Sequence, residues 1–311
     1  MAAEPTETAT LRPVEPAEPL SGPGRRVESY WVRLRSLVHG APVLTGVMVA
    51  AFLVAAIFAP WIAPHDPGAA SFLVALNPPF WVEGGSIAYP LGADQLGRDI
   101  LSRLIYGAQL SLIVSFFAIV IAGSVGIVLG LTAGYVGGAI DSLIMRIVDA
   151  FLAMPFILMA LGFVAALGTS VTNIVIVMAI TNWARYARLV RGEVLSVKER
   201  DFVALARVAG QPRWRIVWKH VLPNVTNSII ILATLDLGRV IILEASLSFL
   251  GLGVQPPAIS WGLMLADGRS YMTVAWWLTV MPGLAILFTV LSLNIMGDWL
   301  RDRLDPRQRI E

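Results

Sequence analysis

The chain contains no cysteine, which excludes disulfides, thiolate zinc sites, iron–sulfur clusters and cysteine nucleophiles together. Its three histidines, His39, His65 and His220, are far apart and match no metal-ligand spacing. Charge is scarce at 14% of residues, and only two of the 23 basic residues, Lys198 and Lys219, are lysines. Neither lysine follows a glycine, and "SFLGLG" at 248–253 precedes no Lys-Ser or Lys-Thr. Nucleotide hydrolysis through a Walker A loop is thereby excluded. No Ser-His-Asp arrangement or clustered carboxylate pair points to an enzyme. What is abundant is apolar: 57% of the 311 residues are hydrophobic, and the mean hydropathy is +0.73. That balance suits lipid as solvent and predicts an all-α integral membrane protein.

Residues 1–28 hold five prolines and five acids, with almost no aliphatic run, and read as a disordered tail. Without a secretory h-region, the first hydrophobic segment is expected to stay as an anchor. "SYWVRLRSLVHG" at 29–40 reads as an interfacial helix leading into a first span over 42–63. A mixed connection follows over 64–103. The chain is then uncharged from Leu104 to Ile140, which predicts a short re-entrant or interfacial part and a second span near Leu110–Ala133. A third span begins after Asp141 and meets a fourth at the turn "LGTSVTN", 167–173. The fifth covers about Val221–Ser246 and the sixth about Met272–Gly297, with a Gly/Pro-rich loop at 250–271 between them. Six spans place five of them within a core of 104–311.

The basic residues are unevenly shared between alternate connections. Nineteen of the 23 fall on the side of the N-terminal tail, Arg146, residues 184–221 and the C-terminus. Three fall on the side of 64–106, 167–172 and 246–272, and Arg239 lies within a span. The positive-inside rule then predicts that both termini and residues 184–221 are cytoplasmic.

Gly126, Gly130, Gly134 and Gly138 recur every four residues. Such a ridge lets helices approach closely, and packing is favoured over a sliding surface. Asp149, Asp236, Arg239 and Glu244 lie inside or near the ends of spans, where ionisable groups are costly unless they face protein or water. They are the candidate translocation-path residues. Asp236 and Arg239, three apart, can pair on one helix face, so a self-neutralised structural pair remains as plausible as a path role.

The basic segment "DFVALARVAGQPRWRIVWKHVLP", 201–223, reads as two short helices. Asp201 can cap the first, Gly210 suits its left-handed end, and Pro212 starts the second. Trp214, Val217, Trp218, Val221 and Leu222 then make one apolar face, with the basic residues away from it. Lipid contact and docking to a cytoplasmic partner fit this pattern equally.

This segment resembles the cytoplasmic signature of permease subunits of binding-protein-dependent ABC importers, Glu-Ala-Ala, a later Gly, then Ile-x-Leu-Pro. Ala204, Leu205 and Ala206 occupy the first three positions, Gly210 the glycine, His220 the Ile position, and Leu222-Pro223 the end. Ala204 stands for Glu, Leu205 for Ala and His220 for Ile. "YPLGADQLGRDILSRLIYGAQLSL", "EASLSFLGLGVQPPAISWGLMLADGR" and "LNIMGDWLRDRLDPRQR" look like the C-type permease of dipeptide and oligopeptide importers. The resemblance implies the type I ABC importer permease fold with six transmembrane helices in a prokaryotic inner membrane. It implies a homologous second permease, two ATPases holding ATP and Mg, and an extracytoplasmic peptide-binding protein. Neither a cofactor nor nucleic acid is expected on this chain. Residues 201–219 would be the coupling helix pair, with Asp201, Ala204, Leu205, Ala206, Gly210, Arg213, Leu222 and Pro223 at the ATPase contact. Permeases for nickel or glutathione are closely similar. An intramembrane enzyme using Asp149 or Asp236 lacks a visible second carboxylate, and a receptor need not keep the helix–Gly–helix–Leu-Pro frame.

Overall fold

A computed structural model describes residues 42–304, which are helical with no strand among them. The tail at 1–28 and the expected interfacial helix at 29–40 lie outside the described residues. So does the chain beyond 304.

α1 (Val43–Ile57) breaks at Phe58 and resumes as the one-turn α2 (Ala59–Ile62), where Pro60 occupies the first turn and needs no amide partner. The long connection that follows has one 3-10 turn, Phe72–Val74. α3 (Ile100–Val136) starts at Asp99, whose side chain accepts from the Ser102 amide at 2.9 Å and from its hydroxyl at 2.6 Å. It runs unbroken for 37 residues. The expected re-entrant part is therefore absent, because nothing between 104 and 136 breaks a helix once Asp99 has started it.

Gly137 and Gly138, both at positive φ, turn the chain into α4 (Gly138–Ala153). Pro155 separates α4 from α5 (Phe156–Leu167), with a bend of 96°. α6 (Val171–Val197), α7 (Asp201–Val208) and α8 (Arg213–Ile216) follow. A π-turn over Val217–Val221 carries α8 straight into α9 (Leu222–Phe249). α10 (Trp261–Gly268) precedes α11 (Trp277–Leu304).

By length and apolar composition α3 and α11 can cross a membrane, and the bent α4–α5 pair qualifies as a third span. The six expected spans do not all emerge on that basis. α1 has only 15 residues. α6 and α9 are long enough, with 27 and 28 residues, but carry charges along their length.

The centre of the fold is the pairing of α3 with α6. A methyl group on Gly130 would stand 2.7 Å from the Ala187 carbonyl and 2.8 Å from Val190 Cβ; on Gly134 it would stand 2.8 Å from Val194 Cβ. Gly126 meets the Trp183 carbonyl at 2.6 Å in the same way. Three of the four ridge glycines thus serve close packing. Gly138 does not, since the space around it is open.

Around this pair, Val114, Ala118 and Ala122 of α3 pack with Ile174 and Met178 of α6 and with Val240 and Leu247 of α9. A second apolar cluster joins Phe52, Ile100, Trp261, Trp277 and Leu278. A third gathers Leu131, Val190, Val194, Val203, Ile216, Val221 and Val225 under the basic segment.

Candidate functional site

The basic segment ends its first helix with a Schellman turn: the Gly210 amide donates to the Arg207 carbonyl at 3.0 Å and the Gln211 amide to Ala206 at 3.1 Å. Gly210 takes φ +72°, the left-handed conformation expected of it. Asp201 does not cap. Arg200 holds the cap position without a side-chain bond, and Asp201 is the first helical residue, where its charge still favours the helix N-terminus.

The second half departs further from the sequence pattern. Pro223 has no amide to offer the Lys219 carbonyl and its ring crowds that group. The chain widens into the π-turn, the Leu222 amide donating to Val217 five residues back. This rotates the expected apolar face. Ile216, Val221 and Val225 enter the cluster beneath, whereas Trp214 and Trp218 remain 64% and 60% exposed. Leu205 and Val208 of α7 are 67% and 87% exposed.

Of the residues expected at the ATPase contact, Asp201, Ala204, Leu205, Gly210, Arg213 and Pro223 are exposed, Leu222 is half-buried, and Ala206 points inward. The outward side therefore combines Leu205, Val208, Trp214 and Trp218 with Arg213 and the Arg215 guanidinium, which lies over the Trp214 ring at 5.6 Å. The helix pair is held to the body by Val203 and Ala206. Beside them the Lys198 ammonium donates to the Gly134 carbonyl at 3.0 Å, and His220 Nε2 meets Gln211 Oε1 at 3.1 Å.

A second group of polar residues lies along α6. Arg185, Arg188 and Arg191 recur every three residues, and each meets an acid from another helix: Asp236 of α9 at 2.6 Å, Asp149 of α4, and Asp141 of α4 at 2.7 Å. Asp236 is 2% exposed; its i,i+3 contact with Arg239 is 3.8 Å, longer than its bond to Arg185. The expected Asp236–Arg239 pair is thus secondary, because an arginine from α6 takes the same oxygen. Arg239 Nη1 donates instead to Asn182 Oδ1 at 3.1 Å. Asp149 is an exposed partner of Arg188. Glu244 is apart from this ladder, buried, and accepts from Ser248 Oγ at 2.7 Å. Charge counting had assigned Arg185, Arg188 and Arg191 to a cytoplasmic connection; their i, i+3, i+6 spacing was the signal for a shared helix face.

A third group ties the connection 64–99 to α10. Asp94 accepts from Arg98 Nε at 2.6 Å and lies 3.6 Å from Arg103, while Asp267 of α10 lies 3.8 Å from Arg98 and 4.0 Å from Arg103. Partial burial raises the Asp267 carboxyl above its ordinary range, and Arg103 and Arg98 offset part of that rise. Trp277 Nε1 donates to the Ala93 carbonyl at 3.3 Å. Among the described residues no group of three or more His, Asp or Glu could hold a metal ion.

Residues 126–310 match the family model described as binding-protein-dependent transport system inner membrane component. The chain is 45% identical to a di/tripeptide transport system permease protein of Pseudomonas aeruginosa, over 90% of this chain and 92% of the relative. It is 43% identical to a dipeptide transport system permease protein of Escherichia coli K12, over 89% and 91%. A glutathione transport system permease protein of Pectobacterium atrosepticum is 41% identical over 89% and 90%. Among solved structures, a chain of the inward-facing MetNI methionine ABC transporter aligns with TM-score 0.50 and 18% identity, covering 65% of this chain and 94% of that one. That likeness concerns the fold alone.

Proposed function

We infer the role of this chain from one premise: it belongs to the binding-protein-dependent transport system inner membrane components, a family of bacterial permeases. It is the permease subunit of an ATP-driven peptide importer. The observation that carries this reading is the identity with di/tripeptide and dipeptide permeases over nine-tenths of both chains.

Six spans, both termini cytoplasmic, would enclose the path together with a homologous second permease. Two ATPases would bind ATP and Mg on the cytoplasmic side. An extracytoplasmic binding protein would deliver the peptide to the connections 64–103 and 250–271. The core, 104–311, would carry five of the spans.

The segment 201–223 is the proposed contact with the ATPases. Its four exposed apolar side chains and cationic rim suit an acidic-edged apolar cleft. Asp201, Ala204, Leu205, Gly210, Arg213 and Pro223 lie on or beside that surface, while Ala206 and Leu222 support it from beneath. Asp149, Asp236, Arg239 and Glu244 are the proposed path group, with Asp236 and Arg239 at its centre. Glutathione, itself a tripeptide, is the second reading, favoured by the 41% identity to a glutathione permease.

Affinity purification of the tagged chain from its native membrane tests the assembly, followed by mass spectrometry of the ligand on the co-purified binding protein. Recovery with a second permease, an ATPase and a peptide-loaded binding protein is expected. Recovery without any ATPase would refute the importer, and a non-peptide ligand would refute the cargo.

A further inference from the structure

The ladder along α6 is unequal in charge. Four guanidiniums, Arg185, Arg188, Arg191 and Arg239, share three carboxylates, Asp141, Asp149 and Asp236. The carboxylate shared between Arg185 and Arg239 is the deepest, near the middle of both α6 and α9. Asp236 Oδ1 is committed to Arg185, and the buried Tyr186 ring lies beside the same carboxylate. Arg239 bonds the Asn182 amide oxygen at 3.1 Å and keeps only the longer contact, 3.8 Å, with the same Asp236 oxygen.

The two guanidiniums are also open on one side. Their side chains are 34% and 40% exposed, against 2% for the acid between them. Two guanidiniums sharing one carboxylate leave a net positive charge, which is costly to expose to lipid. The surface onto which Arg185 and Arg239 open is accordingly a water-filled or protein-lined one.

We propose that Arg239, with Arg185 behind it, is a carboxylate-binding site in the translocation path, engaging the C-terminal carboxylate of the passing peptide. The site rests on the peptide-importer reading and adds the chemical group recognised. A planar guanidinium can take a carboxylate through two parallel N–H bonds. Asp236 serves a separate purpose: it neutralises one of the two arginines, so that a peptide anion meets a net charge of one and is held weakly enough to leave.

The test uses the assembled transporter in proteoliposomes, with its binding protein and a labelled dipeptide, and normalises uptake to assembled complex. R239Q should lower uptake about tenfold, the scale of one charge-assisted hydrogen bond. R239K should lose less than R239Q, since lysine keeps the point charge and loses only the fork. D236N/R239Q frees Arg185 from its acid and should recover most of what R239Q loses.

Uptake by R239Q at the wild-type rate would overturn the proposal, as would a double variant no better than R239Q. If the double variant does not assemble, R239K decides: uptake as low as that of R239Q overturns the site. Should Arg239 instead pair with an acid of the second permease, R239Q would reduce assembly and leave uptake per complex unchanged, which also overturns it. Absence of dipeptide uptake by the wild-type complex would sink the peptide-importer reading itself; normal wild-type uptake with an unaffected R239Q sinks only the carboxylate site.

Discussion

Gly210 is where the proposed coupling segment can be broken with the least collateral change. Its φ is +72°, and a side chain there would meet nothing within 4 Å. Gly210→Ala therefore costs only the strain of a left-handed non-glycine residue, about 1–2 kcal/mol. Gly210→Pro does more. Its ring fixes φ near −65°, which rules out the Schellman turn, and it removes the amide that bonds Arg207. Losing the turn also misplaces Gln211, whose amide closes on Ala206. Together these cost on the order of 3 kcal/mol. α7 is seated chiefly by Val203 and Ala206, a valine and a methyl group whose burial contributes about 2–4 kcal/mol. Proline at 210 thus removes about as much as holds α7 in place, whereas alanine does not.

In proteoliposomes containing the whole transporter, Gly210→Ala should retain most peptide uptake. Gly210→Pro should hydrolyse ATP without matching uptake, at unchanged membrane yield. Normal uptake by the proline variant would refute the coupling role of 201–223.

Trp214→Ala/Trp218→Ala touches no buried contact and should leave the chain's thermal stability within about 0.5 kcal/mol. It should nevertheless lower ATPase recovery in pull-downs at least tenfold, as loss of exposed aromatic anchors does; full recovery would place the docking surface elsewhere. Gly130→Ala drives a methyl group against Ala187 and Val190, an overpacking cost of about 1–3 kcal/mol to be read as a lower unfolding temperature in detergent. Gly192→Ala, in open space on the same α6, should be neutral or stabilising, and equal effects at both sites would contradict the close α3–α6 pairing.

Asp267 has a raised carboxyl, so its protonated form is the one favoured on folding. Its contribution is complete below the unfolded value near 3.9 and is lost as pH rises through the higher folded value. Thermal unfolding of wild type and Asp267→Asn should therefore show wild type gaining on the variant as pH falls from 7 towards 4. The opposite trend would mean that Arg98 and Arg103 outweigh burial.

Much of the architecture was legible because it rests on local signals. Glycine at 210 and proline at 212 mark a break whose dihedrals the structure reproduces. The four-residue glycine spacing identified the α3–α6 contact face for Gly126, Gly130 and Gly134. The misses have non-local or subtle causes. The Trp214–Trp218 face was placed by assuming regular helical turns, and one proline at 223 suffices to widen the turn and redirect both rings. The partners of Arg185, Arg188 and Arg191 lie 39 to 51 residues away in the chain, beyond any spacing rule. The Asp236–Arg239 contact three residues apart was legible and is present at 3.8 Å, whereas the closer bond from Arg185 was not. The re-entrant expectation came from an uncharged stretch too long for one span, but a helix can continue past the thickness of a bilayer when nothing in its sequence stops it.

The ion pair at Asp236 constrains how movement at the proposed ATPase contact could reach the proposed path. α8, the π-turn and α9 form one helical rod from Arg213 to Phe249, roughly 55 Å at 1.5 Å per residue. Trp214 and Trp218 sit at one end of this rod, Asp236 and Arg239 in its middle, and the Glu244–Ser248 bond near the other. α7 belongs to the other arm, following the end of α6 and packing on Val190 and Val194. A push on the exposed apolar side chains of both arms would shear α6 against α9 only by breaking Arg185–Asp236. That would leave a buried carboxylate without its principal partner, a loss of about 3–5 kcal/mol. Moving α6 and α9 together avoids the loss entirely. The two arms should accordingly turn as one body, carrying Arg185, Asp236 and Arg239 in fixed relation, with the sliding surface lying between this body and the proposed second permease.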